Sequence, residues 1–452
     1  MNTLLKILAA PWRATSQAAQ GFLSLTLAAR IAWAVALLQV FVVLMTLVVI
    51  FTTGGAAVFE AWWTPSKALA LLLLLAVVPL LVYWSARLWF QHDTARWPDI
   101  DKAWREALVE LDRQGIELAS TPLFLVLGCD GGPREAELFT ASPVSFDVRA
   151  APQGSAPLHV YAGPEGIFVC LATIGQTCKL MAQTAASTEQ PTVSLRSAER
   201  SDASDRLRTI CDRIRHARRP VAPANGVIAL VPAVNPDQQR LAPAAGSALS
   251  EDLLTISSSC GLRMPLTVVG TGIDQIPGFE TLLQRLPSDL ASLPLGESYP
   301  VGRTASPEEI GTLAVEACGR LADVIGGILL DPKSLALSAE NRRLVGLACR
   351  LRLDVAPLLQ GIMQRGLDYA AHSGDTPFLA GCYLLPATRG STQVSMSDGL
   401  FSRVLEVQGD LEWTSDSLNR NRRYGRIAQG LMLLNVVMLS AWLGIIWWRV
   451  SR

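Results

Sequence analysis

Pro122-Leu-Phe-Leu-Val-Leu127 runs straight into Gly128-Cys129-Asp130-Gly131-Gly132-Pro133-Arg134-Glu135, and this junction decides how the middle of the chain is read. An uninterrupted apolar run of this length bounded by turn residues reads as a buried strand. A glycine-rich turn after it, opening a helical stretch, is where a phosphate-binding loop sits. A working loop has the form G-x-x-x-x-G-K-[ST]. Gly128 supplies its first glycine, and Gly131 or Gly132 supplies the second one place early. Arg134 stands where the lysine belongs, and Glu135 where a hydroxyl should meet Mg²⁺. Pro133 removes a backbone donor. Asp130 and Glu135 add negative charge, and one such charge 4 Å from an anion costs roughly 4 kcal/mol at an effective dielectric near 20. The loop opposes phosphate, so no cofactor, no catalytic residue and no bound metal is expected at it.

Outward from the loop, Gly166 to Ala172, Gly226 to Val231 and Leu266 to Val269 repeat the short apolar pattern, separated by helical stretches such as Ser204 to Arg218. This alternation predicts a parallel sheet with crossover helices. The polar stretch Gln183 to Asp205 reads as an exposed loop. After residue 300 the pattern turns helical. Ser306-Pro307-Glu308-Glu309 is a capping box with proline at the first helical position, and Ser338 to Leu351 and Val355 to Leu367 continue at helical spacing.

Three uncharged apolar runs flank this middle: Ile31 to Phe51, Ala68 to Ala86 and Ile427 to Trp448. Each has about the 20 residues that cross ~30 Å of hydrocarbon. Lys6, Arg13, Arg30, Arg87, Arg420, Arg422, Arg423 and Arg426 sit on the sides that put residues 91–426 in the cytoplasm and the C-terminus in the periplasm. The expected fold class is therefore a membrane protein with three transmembrane helices, a cytoplasmic α/β P-loop-like domain and a helical lobe. Its segments are 1–30 (cytoplasmic), 31–51, 68–86 and 427–448 (spans), 91–300 (α/β domain) and 301–426 (helical extension).

The chain of 452 residues is 50% hydrophobic and 17% charged, with a formal net charge of +0, which gives no reason to expect nucleic acid as a partner. Its eight cysteines include no C-x-x-C pair, and its four histidines (His92, His159, His216, His372) are scattered. Spacing alone suggests no metal site and no triad.

Several fragments, in this order, resemble the IcmF/TssM family of type VI secretion systems and its relatives in Dot/Icm-type IVB systems. Arg215-His-Ala-Arg-Arg-Pro220 followed by Asn225-Gly226-Val227-Ile228 resembles the family's R-x-x-R-P-x-N-G-V segment. Met264 to Val269, Thr271-Gly272-Ile273-Asp274 and Pro277-Gly278-Phe279 resemble its P-V-Y-V-x-x-T-K-x-D-x-x-x-G-F run. Pro377 to Tyr383 and Asp398 to Leu405 resemble two later signatures. The resemblance implies a G-protein-like domain used as a scaffold.

Departures from the family pattern favour a non-enzymatic role. Ala172-Thr173-Ile174-Gly175 lacks the aspartate of a D-T-A-G motif, and Gly272 replaces the lysine of T-K-x-D, leaving Thr271 and Asp274 as vestiges of base recognition. The resemblance further implies a TssL/DotU-type inner-membrane protein as partner, baseplate proteins as cytoplasmic contacts, contact with the lipid bilayer and an oligomeric complex; family members continue into a large periplasmic region where this chain ends at Arg452, so the expectation is either a separate subunit for that region or a shortened form with only the inner-membrane and cytoplasmic roles. The alternatives are a divergent GTPase or ATPase energising the same machine, and a membrane-tethered regulator outside secretion.

Overall fold

Strands whose residues are buried on both faces read as continuous apolar runs, and such runs build the sheet of this protein. The computed structural model describes residues 27–62, 73–85, 96–132, 135, 138, 139, 142–186, 195–234, 238–287, 295–332, 337–371, 377–386, 398–419, 422, 423 and 426. The chain divides into two compact units, one made of 1–98 with 428–452 and the other of 99–427.

In the first unit, helix α1 (Leu27–Trp62) runs through the first apolar stretch, and residues 73–85 are helical. Counted over the described residues, no helix is long and apolar enough to cross a membrane. The three-span fold class and the multi-pass orientation are corrected accordingly. The third run, 427–448, lies outside the described residues.

The second unit opens with α2 (Pro98–Arg113), which buries Ile100, Ala103, Trp104, Ala107 and Leu111 at three- and four-residue spacing. The chain then forms β1 (Leu123–Leu127), β2 (Val148–Ala151), β3 (Leu158–Gly163) and β4 (Gly166–Leu171), followed by α3 (Gln176–Ala186) and α4 (Ser197–Ala217). Next come β5 (Gly226–Pro232), α5 (Gln238–Cys260), β6 (Leu262–Arg263), β7 (Pro265–Thr271) and α6 (Phe279–Arg285). The remainder is β8 (Gly296–Ser298), α7 (Pro307–Leu330), α8 (Ser338–Arg350), a π-helical turn Leu351–Val355, α9 (Ala356–Ala371), β9 (Phe378–Leu385), α10 (Asp398–Glu406) and β10 (Glu412–Trp413).

Eight of these strands form one mixed sheet in the order β2-β3-β4-β1-β5-β7-β9-β8. β4, β1, β5, β7 and β9 are parallel, β3 and β8 run against them beside β4 and β9, and β2 pairs antiparallel with β3 at the outer edge. The helical extension after residue 300 thus contributes β9 to the same sheet. On one face, alternate residues of five strands, among them Phe124, Phe168, Ile228, Val269 and Tyr383, join Phe139, Phe146, Tyr161 and Phe401 in an aromatic core. Phe139 stacks on Tyr161 with ring centres 4.1 Å apart, and Phe401 of α10 meets Phe168 edge-on at 5.5 Å.

The capping box at α7 forms as the sequence predicts, with Ser306 Oγ accepting from Glu309 N and Glu309 Oε2 accepting from Ser306 N. The expected loop from Gln183 to Asp205 is helical at both described ends, since α3 reaches Ala186 and α4 begins at Ser197. Ion pairs hold this polar helix in place. Asp202 binds Lys179 of α3 at 2.6 Å, Arg206 pairs with Asp99, and Arg213 grips Asp101 through two nitrogens at 2.8 and 3.2 Å.

The segment between α4 and β5 accounts for the Arg-Arg-Pro-x-x-x-x-Asn-Gly motif. Arg218 is buried, and its guanidinium donates to Thr121 O at 2.7 Å, Ala222 O at 2.9 Å and Asn225 Oδ1 at 3.3 Å. Asn225 Oδ1 also accepts from Leu123 N at 3.0 Å, its Nδ2 donates to Gln408 O at 3.1 Å, and its own N–H donates to Leu123 O. Asn225→Ala leaves Leu123 N–H and Gln408 C=O without this partner, so a loss of roughly 2–4 kcal/mol is expected in urea unfolding, with the cooperative transition retained.

Candidate functional site

In an open α/β sheet, ligands bind beyond the carboxyl ends of the strands where the strand order reverses. Here that point is β1, which has β4 on one side and β5 on the other, and the Gly128 loop follows it directly. Gly128 has φ +80°, and a Cβ there would stand 2.1 Å from Leu230 O, so only glycine permits this approach.

The loop's donors are already engaged by the protein. Gly128 N–H donates to Cys178 Sγ at 3.1 Å, and the Cys178 thiol in turn donates to Leu171 O at 2.7 Å. Burial pushes the Cys178 thiol well above its ordinary value, so it stays neutral. Gly132 N–H closes onto Asp130 Oδ1 at 3.0 Å. Arg134 and Pro133 lie outside the described residues.

Glu135 turns inward. Its side chain is 2% exposed, and Oε1 lies 2.9 Å from Nδ1 of His159, a residue of β3. Nε2 of the same ring lies 2.9 Å from Gly154 O. Both ring nitrogens face acceptors, which suits the doubly protonated imidazolium. The hydrogen bond to Glu135 raises the His159 pKa against the opposing effect of burial. The carboxylate that the sequence places in the loop is therefore tied to His159 inside the fold. Nothing in the local sequence points to His159, because the pairing of β3 with β4 brings it there.

A second carboxylate fills the other anion-friendly position of this sheet edge. The chain leaves β4 through Ala172-Thr173-Ile174-Gly175 and enters α3, whose first N–H groups would attract an anion. Asp252 of α5, fully buried, accepts from both Gln176 N and Thr177 N at 2.8 Å. Gly175, at φ +95°, makes room for it, since a Cβ there would stand 2.9 Å from Asp252 Oδ2.

At the carboxyl end of β7, Thr271 Oγ1 donates to Val231 O at 3.2 Å. Asp274 is half-buried in the 3-10 turn Ile273–Gln275, which starts after Gly272 in the left-handed region. Gly128, Cys129, Asp130, Glu135 and Thr271 line one cavity of about 60 Å³, and Asp274 is not among its described lining residues. That volume holds roughly two waters, whereas small-molecule sites run to about 300–1,000 Å³. Gly131 and Gly132 belong to the loop but do not line the cavity.

Burial raises the Asp252 carboxyl to about 6 from an ordinary 3.8, against the pull of its two backbone donors. The folded chain then binds more protons than the unfolded one between those values. The stability this confers is fully present below about pH 4 and is lost as pH rises through 6, an amount of roughly 3 kcal/mol. Asp252→Asn should flatten that part of the stability profile, measured as urea midpoints from pH 4 to 7.

No curated protein matches the chain. Among solved structures, the cytosolic domain of the T. maritima FeoB iron transporter in GDP form I is 11% identical, covering 55% of this chain and 97% of that one with a TM-score of 0.18, a likeness that carries no argument. Residues 200–424 match the IcmF-related N-terminal domain. The Arg215–Pro220, Asn225–Ile228, Met264–Phe279, Pro377–Tyr383 and Asp398–Leu405 fragments all fall within that span, while the Gly128 loop precedes it. This match supports the resemblance to the IcmF/TssM-type family.

Proposed function

We propose that this chain is a non-enzymatic component associated with type VI or type IVB secretion, in which a G-protein-like sheet that no longer takes nucleotide serves to dock partner proteins. The IcmF-related domain supports the association with secretion. The loss of nucleotide chemistry rests on one observation. Two of the donors that would cradle a phosphate are bonded within the protein, by Cys178 at Gly128 and by Asp130 at Gly132, beside a cavity of about 60 Å³. Opening the site for a triphosphate would break these bonds and bring anions toward Asp130 and Glu135.

A docking role is supported by the outer helices. Leu330 at the end of α7 is 84% exposed, Leu353 in the π-helical turn is 73% exposed, and Val315 and Val345 are also exposed. Short π-helical segments frequently accompany functional sites. In this reading the partners are a TssL/DotU-type protein and baseplate proteins, within an oligomeric complex.

Isothermal titration of GTP or ATP with Mg²⁺ into the full chain should show no saturable binding. Micromolar affinity would overturn the scaffold reading. Docking is tested by point substitution, because deleting residues 300–426 would also remove β9 from the sheet. Leu330→Lys with Leu353→Lys should leave the unfolding midpoint within about 0.5 kcal/mol of the parent, as exposed substitutions do. The same pair should reduce recovery of a TssL/DotU-type partner in affinity purification, and unchanged recovery would clear these helices of the role.

A further inference from the structure

Three potential metal ligands, two from the Gly128 loop region and one from β4, meet behind the loop. Cys129 lies two residues past the end of β1, Cys170 lies on β4 opposite Val126, and Glu135 follows the loop. One ligand atom from each lies within 4.8 Å of the other two. All three residues are buried, at 1%, 0% and 3% exposure. Glu135 provides the second, independent observation. Its Oε1 is held by His159, and its buried Oε2, near the Tyr161 side chain, has no hydrogen-bond partner among the described residues. A buried carboxylate oxygen left unsatisfied beside two thiols is a donor set lacking its acceptor.

We propose that Cys129, Cys170 and Glu135 form a zinc site. Two thiolates and one carboxylate make a soft-to-borderline set that suits Zn²⁺ and excludes Mg²⁺ and Ca²⁺, which want oxygen alone. Tetrahedral zinc with bonds of about 2.0–2.3 Å sets its ligands about 3.3–3.8 Å apart, so closing this triangle takes shifts on the order of 1 Å. Cys129 and Glu135 also line the small cavity, which leaves the fourth position facing a space that admits water.

His159 takes the role of an outer partner that orients the ligating carboxylate through its other oxygen. On binding, Zn²⁺ forms two Zn–S bonds and one Zn–O bond, and the two thiol protons leave to solvent. The metal and its three anionic ligands carry a net charge of −1, far less than three buried anions without it. The metal would tie the end of β1 to β4 and the following helix, at the edge where a nucleotide and its Mg²⁺ would tie a working G domain together.

The test uses the full chain, reduced and stripped with chelator, then titrated with Co²⁺ alone as a spectroscopic probe and with Zn²⁺ against a chromophoric competitor. One equivalent of Co²⁺ should give thiolate-to-cobalt charge transfer with tetrahedral ligand-field bands, and one equivalent of Zn²⁺ should displace it. Cys129→Ala and Cys170→Ala should each lower zinc affinity at least 100-fold and Glu135→Gln about 10-fold, while Cys318→Ser and Cys349→Ser leave it unchanged. Absence of the charge-transfer band, or a band that survives both alanine variants, overturns the site.

Should the alanine variants not fold, the wild-type chain decides the matter by slow alkylation through local opening, mapped by mass spectrometry. Zinc should cut labelling of Cys129 and Cys170 at least tenfold relative to the stripped protein and leave Cys349 alone. Equal labelling, or recovery from cells of a Cys129–Cys170 disulfide without metal, refutes the proposal.

Discussion

A single buried guanidinium holds the entrance to the central sheet. Arg218 spends its donors on the carbonyls of Thr121 and Ala222 and on Asn225. Burial lowers its pKa to about 10, a measure of the desolvation it bears. It accepts that cost because the turn between α4 and β5 must pass under the start of β1, where backbone carbonyls would otherwise be buried without donors. Asn225 then carries the constraint to Leu123 and to Gln408 beyond α10. β1 and β5, the two strands that flank the switch point, are thereby set at a fixed separation. Everything at their far ends inherits that register.

At those far ends the protein has replaced an external ligand with its own groups. A phosphate site works by leaving backbone donors unsatisfied and positive. Here a thiol, an aspartate within the loop and the carboxylate of Asp252 each satisfy donors of that kind, and His159 holds the carboxylate of Glu135. None of these partners costs binding entropy, since each is attached to the fold. The apolar remainder of the sheet face is filled by aromatic rings, and Phe401 of α10 closes it from a part of the chain far downstream.

Buried parallel strands announce themselves in sequence, and the four read from the apolar runs all appear within two residues of their expected ends. β3 escaped notice because His159 and Gly163 interrupt its pattern, although all six of its residues are buried. β9 was legible only as a family signature, since Ala380, Gly381 and Cys382 carry little strand propensity and its place beside β7 is a tertiary fact. The polar start of α4 read as loop because its stabilising ion pairs reach to α2 and α3, beyond any local window. The candidate site was half visible: the glycines, Glu135 and Thr271 sit where the motif puts them. Asp252, His159 and Cys178 are supplied by other elements, and no spacing rule could have joined Cys129 to Cys170. Apolar runs counted by length alone suggested three spans, which the described helices do not provide.

The position of β9 has a consequence for how the protein is made. β7 pairs on one side with β5, already synthesised, and on the other with β9, which lies on the order of 100 residues further along the chain. At typical ribosomal rates of about 5–20 residues per second, the open edge of β7 waits roughly 5–20 s for its neighbour. An uncovered parallel edge is a template for mispairing. During that interval α5, already made, can pack on β-sheet residues, but its main neighbour α9 has not yet emerged. Nascent chains of this protein therefore pass through a long window in which the sheet is open on one side, and their yield in cells depends on how well chaperones guard that edge before the last strand arrives.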